Sequence, residues 1–173
     1  GDPRHDYIIG GAYVFTIEGD PVTKIEIPSP DIGDVFGADM CKVDGKVVIG
    51  AGWDDTDGED VGIAYLFDLA SYDPDSGLPL DPEREFHEPT PTGDEWFGWE
   101  MGSLPGKVLI SGLKEDLGAI DSGVVYIFDD TGAPPQIIEN PSPAEYDHFG
   151  TTIASQDNRF FVHAFGNSIA PAI

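Results

Sequence analysis

Pro28-Ser-Pro-Asp-Ile-Gly-Asp-Val-Phe-Gly37 returns as Pro89-Thr-Pro-Thr-Gly-Asp-Glu-Trp-Phe-Gly98, and again as Pro141-Ser-Pro-Ala-Glu-Tyr-Asp-His-Phe-Gly150. Each copy opens on Pro-(Ser/Thr)-Pro, carries an acid at its seventh place (Asp34, Glu95, Asp147) and closes on Phe-Gly. A second signature keeps step with the first: Ala12-Tyr-Val-Phe15, Ala64-Tyr-Leu-Phe67 and Val125-Tyr-Ile-Phe128. Copies lie roughly 50–60 residues apart, a period that belongs to repeated supersecondary units burying their faces against one another.

Aligned on these signatures, every repeat yields the same four strand-like segments. After Phe-Gly comes a strand (38–43, 99–104, 151–156), then a tight turn at Asp44-Gly45, Pro105-Gly106 or Asp157-Asn158. Such dipeptides favour the left-handed or pre-bent conformations that hairpins need. The return strand is β-branched and aromatic: Lys46-Val-Val-Ile49, Lys107-Val-Leu-Ile110, Arg159-Phe-Phe-Val162. A polar loop leads to the Tyr-x-Phe strand. An edge-like strand then feeds the next Pro-x-Pro, at Lys24-Ile-Glu-Ile27, Arg84-Glu-Phe-His87 or Gln136-Ile-Ile-Glu139. Alternation places Phe36, Ala38 and Met40 on one face, with Phe97, Trp99, Met101 and Phe149, Thr151, Ile153 as counterparts. Gly37, Gly98 and Gly150 begin the opposite face, which predicts a bulge or the close approach of another backbone. Tyr13, Tyr65 and Tyr126 each share a side with the Phe two residues on. With 15 prolines, 22 glycines and no helical periodicity, the chain reads as all-β. Four antiparallel strands per repeat is the arithmetic of a β-propeller blade. The segment from Ser71 to Pro79 reads as a surface loop inserted between third and fourth strands.

Composition sets limits. Of 173 residues, 40% are apolar, enough to fold, while 33 acids against 8 Lys plus Arg give a net charge of -25. Clustered cations are what bind nucleic acid and anionic membranes, so neither is an expected partner. A solvated acidic surface, a high-salt setting, divalent cations or a cationic partner each fit this charge. Cys41 is the only cysteine, so no disulfide forms within the chain. No apolar run approaches the length of a membrane span, so membrane insertion is not expected.

The copies resemble FG-GAP repeats, the blade unit of integrin α-subunit heads and of secreted bacterial and archaeal β-propellers. The resemblance runs through Phe36-Gly37, Val47-Val-Ile-Gly-Ala-Gly52 and Gly62-Ile-Ala-Tyr-Leu-Phe67, and covers nearly the whole chain. Gly52 stands where the family has the proline of Gly-Ala-Pro, and that element is degraded further at Ile110-Ser-Gly-Leu113 and Val162-His-Ala-Phe165. The resemblance implies a propeller with three blades' worth of strands: repeats over 37–97 and 98–149, and a third made of 150–173 completed by 1–36. Two strands from each end of the chain then share one blade. Since propellers usually have four to eight blades, the expected state is a homo-oligomer or part of a larger propeller.

Candidate sites are few. Asp55, Asp57 and Glu59, in Asp54-Asp-Thr-Asp-Gly-Glu-Asp60, offer alternating hard oxygens for calcium, though without the spacing of a twelve-residue calcium loop. Family calcium loops precede the Gly-Ala-Pro strand, where this chain has only the Asp44-Gly45 turn, so those ligands do not carry over. The equivalent loop, 114–121, is thinner in acids. Trp53 and Trp96 beside acids suggest a sugar-stacking surface, whereas Trp99 shares a strand face with Phe97 and Met101 and is expected in the core. His5, His87, His148 and His163 do not recur at one place, and no nucleophile motif accompanies them. The acid before Phe-Gly is expected to fasten a strand start to backbone amides, and Cys41 to be an inert thiol. The resemblance therefore implies a non-enzymatic, extracellular or cell-surface propeller for protein binding, adhesion or assembly. The alternative is a carbohydrate-binding propeller, with or without calcium.

Overall fold

A computed structural model describes residues 8–166. The described residues form twelve strands: β1 (Ala12–Phe15), β2 (Pro21–Ile25), β3 (Phe36–Val43), β4 (Lys46–Ala51), β5 (Ile63–Phe67), β6 (Arg84–His87), β7 (Phe97–Leu104), β8 (Lys107–Gly112), β9 (Val124–Asp129), β10 (Gln136–Glu139), β11 (Phe149–Gln156) and β12 (Arg159–Ala164). They assemble as two four-stranded antiparallel sheets, β3-β4-β5-β6 and β7-β8-β9-β10, and two hairpins, β1-β2 and β11-β12. The hairpin turns behave as their residues require: Asp44 and Gly45 have φ of 46° and 86°, and Asp157 has 56°. Positive φ at a turn centre twists the chain in the sense that flanking strands need.

The two sheets superpose in register. Val47 pairs with Phe67 and Ile49 with Tyr65 in the first; Val108 pairs with Phe128 and Ile110 with Tyr126 in the second. Two sequence expectations shift. The edge strand expected at 24–27 is Pro21–Ile25, because β1 returns through a tight turn in which the Gly19 amide donates to Thr16 O. Within the inserted 71–79 region's lead-in, Leu69–Ser71 forms one 3-10 turn capped by the Asp68 carboxylate.

Alternation along the Phe-Gly strands is broken at the glycine. The β3–β4 register slips between Phe36 and Met40, and the β7–β8 register between Phe97 and Met101. Met40 is exposed although Phe36 is buried. Trp99 is likewise turned out of the core cluster that holds Phe97 and Met101. The slip places two extra residues on the first strand, so Phe97 and Met101 keep one face while Trp99, inside the bulge, departs from the alternation.

Successive units are stitched along the chain by the Phe of each Phe-Gly. The Phe36 amide donates to Ile9 O at 2.8 Å, Phe97 to Val61 O at 2.7 Å and Phe149 to Ser122 O at 2.8 Å. The glycine ahead of each Tyr-x-Phe strand makes this contact possible. A Cβ at Gly10, Gly62 or Gly123 would lie 2.0, 2.1 or 2.4 Å from the carbonyl oxygen of Phe36, Phe97 or Phe149. All three have positive φ, so a side chain would be both strained and blocked.

First strands of neighbouring units also meet. The Met101 amide donates to Asp39 Oδ2 at 2.6 Å and the Ile153 amide to Glu100 Oε1 at 3.4 Å, with Asp39 and Glu100 one repeat apart. Three apolar clusters fill the spaces between units. The first joins Ala12, Ile25 and Ile27 to Phe36, Tyr65 and Phe67. The second joins Val48, Ala64 and Phe86 to Phe97 and Tyr126, and the third joins Leu109 and Val125 to Phe149 and Ile153.

Candidate functional site

The ten-residue signature folds around its acid. Its eighth residue has positive φ in every copy: 54° at Val35, 55° at Trp96, 46° at His148. For a β-branched valine that conformation is a genuine outlier, and it recurs because the geometry turns the seventh side chain inward. Asp34 Oδ2 accepts the Asp31 amide at 2.7 Å. Glu95 accepts the Thr92 amide at 2.6 Å, the Gly93 amide at 2.9 Å and the Thr92 hydroxyl. Asp147 Oδ2 accepts the Ala144 amide and the Asn140 side-chain amide, both at 2.9 Å. All three acids are buried. The role expected for them, fastening a strand start to backbone amides, is what these hydrogen bonds perform.

These carboxylates belong to larger acid–tyrosine knots, one in each complete sheet. In the first, the Tyr65 hydroxyl donates to Asp54 Oδ2 at 3.4 Å near Asp34. In the second, the Tyr126 hydroxyl donates to Glu88 Oε1 at 2.5 Å, with Glu95 and Glu115 alongside. Burial, reinforced by Asp54, Asp31 and Asp55, pushes the Asp34 carboxyl up to about 6. Burial, reinforced by Glu88, Glu95 and Asp116, pushes Glu115 up to about 7. Glu88 and both tyrosines also shift upward, chiefly by burial. Sequence reasoning missed Glu88, Glu115 and the tyrosine hydroxyls. The signal was there: Asp54 and Glu115 occupy one slot after the second strand, and Glu88 and Asn140 both precede Pro-x-Pro.

The loop bearing the calcium candidates closes on itself. Asp55 Oδ1 accepts the Asp60 amide at 2.7 Å, as Asp116 Oδ1 accepts Asp121 at 2.8 Å in the next repeat. Asp57 Oδ2 is 2.6 Å from His87 Nδ1, and Glu59 contributes its carbonyl to the Asp94 amide at 2.7 Å. Among the described residues no group of three or more His, Cys, Asp or Glu side chains gathers to hold a metal ion. The loop's backbone instead docks the next signature, since Asp60 O accepts from Trp96 as Asp121 O accepts from His148.

All three tryptophans converge on the junction of the two complete sheets. Trp53 lies 5.6 Å from Trp96 and 5.1 Å from Trp99, and Trp96 lies 5.2 Å from Trp99, centroid to centroid. Lys114 Nζ stands 4.6 Å over the Trp96 ring and 2.5 Å from Asp94 Oδ2, while Trp96 Nε1 donates to Asp94 Oδ1 at 2.9 Å. The candidates Trp53 and Trp96 are thus brought together, with Trp99 between them rather than in the core.

The remaining candidates stay apart. His87 sits beside Asp57 and 3.4 Å from Glu85, His148 Nδ1 is 3.2 Å from Leu113 O, and His163 lies on β12. His5 lies outside the described residues. Cys41 Sγ donates to Gly102 O at 3.4 Å, and burial pushes the thiol up to about 12, which keeps it protonated and unreactive.

Tyr13, the third tyrosine of the repeat, has no such surroundings. It is 65% exposed on β1, and Phe15 is 58% exposed, whereas Tyr126 is 2% exposed. Phe161 on β12 is also 58% exposed. Comparison with models of known protein families and with curated proteins finds no match to this chain.

Proposed function

We propose that this chain is a β-propeller module of FG-GAP-like blades that works without catalysis, at the cell surface or outside the cell, in protein binding, adhesion or assembly. The observation that carries the reading is the contrast between a strongly acidic body and the apolar half-sheets at its ends. Tyr13, Phe15, Ile17 and Phe161 present large exposed apolar surface next to strand edges that have no partner among the described residues. Such surface on a soluble domain marks a place where another polypeptide packs. The acids of the signature support the same reading, because Asp34, Glu95 and Asp147 each have an oxygen that accepts from backbone amides within its own turn.

A carbohydrate site at Trp53 and Trp96 is less well supported. A sugar needs an open aromatic face, and here the rings pack on one another while Lys114 covers Trp96. Calcium at Asp55, Asp57 and Glu59 is not required by this reading, since Asp55 closes its own loop and Asp57 meets His87.

Beads coated with the chain test the proposal. They are expected to adhere to protein-coated beads, including beads coated with the chain itself, and to leave a glycan array blank with or without calcium. Binding to glycans without adhesion to protein would replace this reading by the carbohydrate one.

A further inference from the structure

The two hairpins are complementary halves. β11–β12 corresponds to β3–β4 and β7–β8, the first two strands of a complete sheet; β1–β2 corresponds to β5–β6 and β9–β10, the last two. Among the described residues, the outer edge of β12 and the outer edge of β1 have no strand partner. Nor do the hairpins adjoin each other within one chain. β1–β2 packs into the apolar cluster of the first complete sheet, and β11–β12 into that of the second. Among the described residues, one sheet therefore shows only its first half and another only its second.

We propose that a second copy of this chain supplies the missing halves, so that β12 of each protomer pairs antiparallel with β1 of the other. The inference rests on the propeller reading above and names the partner for it. The register follows from the complete sheets. Val108 pairs with Phe128, Leu109 with Ile127, Ile110 with Tyr126 and Ser111 with Val125. Transferred by repeat position, Phe160 pairs with Phe15, Phe161 with Val14, Val162 with Tyr13 and His163 with Ala12.

Exposure supports this register. Every residue occupying these slots in the second sheet is buried, Val108, Leu109, Ile110 and Ser111 on one strand and Val125, Tyr126, Ile127 and Phe128 on the other. In the hairpins, Tyr13, Phe15 and Phe161 stand in solvent. Pairing the edges removes this apolar area from water and satisfies the backbone groups of both edges. The contact is reciprocal under a twofold axis and closes on itself after two copies. Two copies amount to six four-stranded sheets, within the range of closed propellers, whereas one copy amounts to three. Two bodies each of charge -25 repel, so association strengthens as salt screens them.

The experiment measures the mass of the full chain by light scattering across a dilution series, then maps the contact. The expected mass is twice 18.6 kDa, with dissociation at lower concentration in low salt. In a Cys41→Ala background, chains carrying Val14→Cys are mixed with chains carrying Phe161→Cys and treated with a short thiol-to-thiol linker. Heterodimers are expected to cross-link, and a Thr23→Cys partner for Phe161→Cys is not. Phe161→Glu is expected to weaken the dimer at least about tenfold while the circular dichroism spectrum is kept. A monomer at all concentrations overturns the proposal, and that is also the result if further repeats of a longer polypeptide fill these edges. A dimer that does not cross-link overturns the edge pairing. A cross-linked dimer with an elongated rather than ring-shaped scattering envelope upholds the pairing and sinks the propeller reading instead.

Discussion

Tyr126 and Tyr13 occupy the same slot of the same repeat, yet one lies under a neighbouring unit and the other lies in solvent. The signature is equally intact around both. Its residues build the strand, the glycine ahead of it and the stitch to the next Phe-Gly in each case: Gly123 and Phe149 in one, Gly10 and Phe36 in the other. What differs is the strand beyond. β9 has β8 on one side and β10 on the other, while β1 has only β2 among the described residues. The repeat motif specifies local geometry, and burial is conferred by whatever packs beside it. A residue's worth to stability is thus set by neighbours that the motif does not contain.

The largest effect that could break this comparison comes from truncating equivalent aromatic anchors. Phe97 is fully buried and meets Tyr126 and Phe128 at 5.7 and 6.0 Å. Phe97→Ala is expected to cost about 3–5 kcal/mol. Phe15→Ala, at an exposed site, is expected to cost less than about 1 kcal/mol in dilute solution. Urea denaturation of both variants at micromolar concentration decides the matter. Equal losses would mean that the half-sheet is already covered in the free chain.

The signature acids give the next effect. Glu95 accepts two amides and a hydroxyl, so Glu95→Ala leaves buried donors unpaired and is expected to cost about 2–4 kcal/mol. Asp34 accepts one amide and is held by burial against its own ionisation, so Asp34→Ala is expected to cost roughly 1 kcal/mol. Thermal melts that rank Asp34 above Glu95 would show that the complete sheets, and not the lead-in from β1–β2, depend less on this acid.

Acidity sharpens the contrast further. Asp34 rises from 3.8 to about 6 and Glu115 from 4.5 to about 7, both mainly through burial. Each keeps its proton in the folded chain at pH values where the unfolded chain has lost it. Their stabilising effect is therefore complete below about pH 4 and disappears as pH rises through 6 and 7. Discounted for solvent screening, the two together make the chain about 1–2 kcal/mol less stable at pH 8 than at pH 5. Glu115→Gln is expected to flatten most of that slope; an unchanged slope in this variant would locate the pH dependence in general charge repulsion. The Asp54 and Glu115 slot falls in the third repeat on Asn167, outside the described residues. A sheet completed by a second copy is accordingly expected to lack this pH response.

Strand order and hairpin turns were legible in the sequence because period-two alternation, Asp-Gly turns and the repeat itself all act locally. Parity failed inside the bulges, at 37–39 and 98–100, where two extra residues leave the ladder while the flanking Phe97 and Met101 keep one face. Trp99 was misplaced for that reason alone. The acid–tyrosine knots were harder. Glu88, Glu95 and Glu115 are separated along the chain and meet because β8 returns beside β7 and the Lys114 amide donates to Glu95 O, which lays the loop after β8 against the signature before β7. Asp57 shows the same limit, its partner His87 lying 30 residues away.

The smallest expected effect concerns the one place where the two sheet junctions differ most in chemistry. Trp53, Trp96 and Trp99 have Lys114, His148 and Thr151 at the same slots one repeat later. Both junctions keep the backbone stitch, with the Trp96 amide donating to Asp60 O and the His148 amide to Asp121 O, at 3.2 and 3.1 Å. The indole cluster is therefore an addition to a junction that already holds. Lys114 caps that cluster from the neighbouring slot, its ammonium over Trp96 and against Asp94. Removing one partly exposed cation–π contact and its ion pair costs about 0.5–1 kcal/mol. Lys114→Ala is expected to shift the melting point by no more than a few degrees. Tryptophan fluorescence should nonetheless change, with easier quenching by acrylamide as the Trp96 face opens. A melting point lowered as far as by Glu95→Ala would make the aromatic cluster, rather than the backbone stitch, the main bond between the complete sheets.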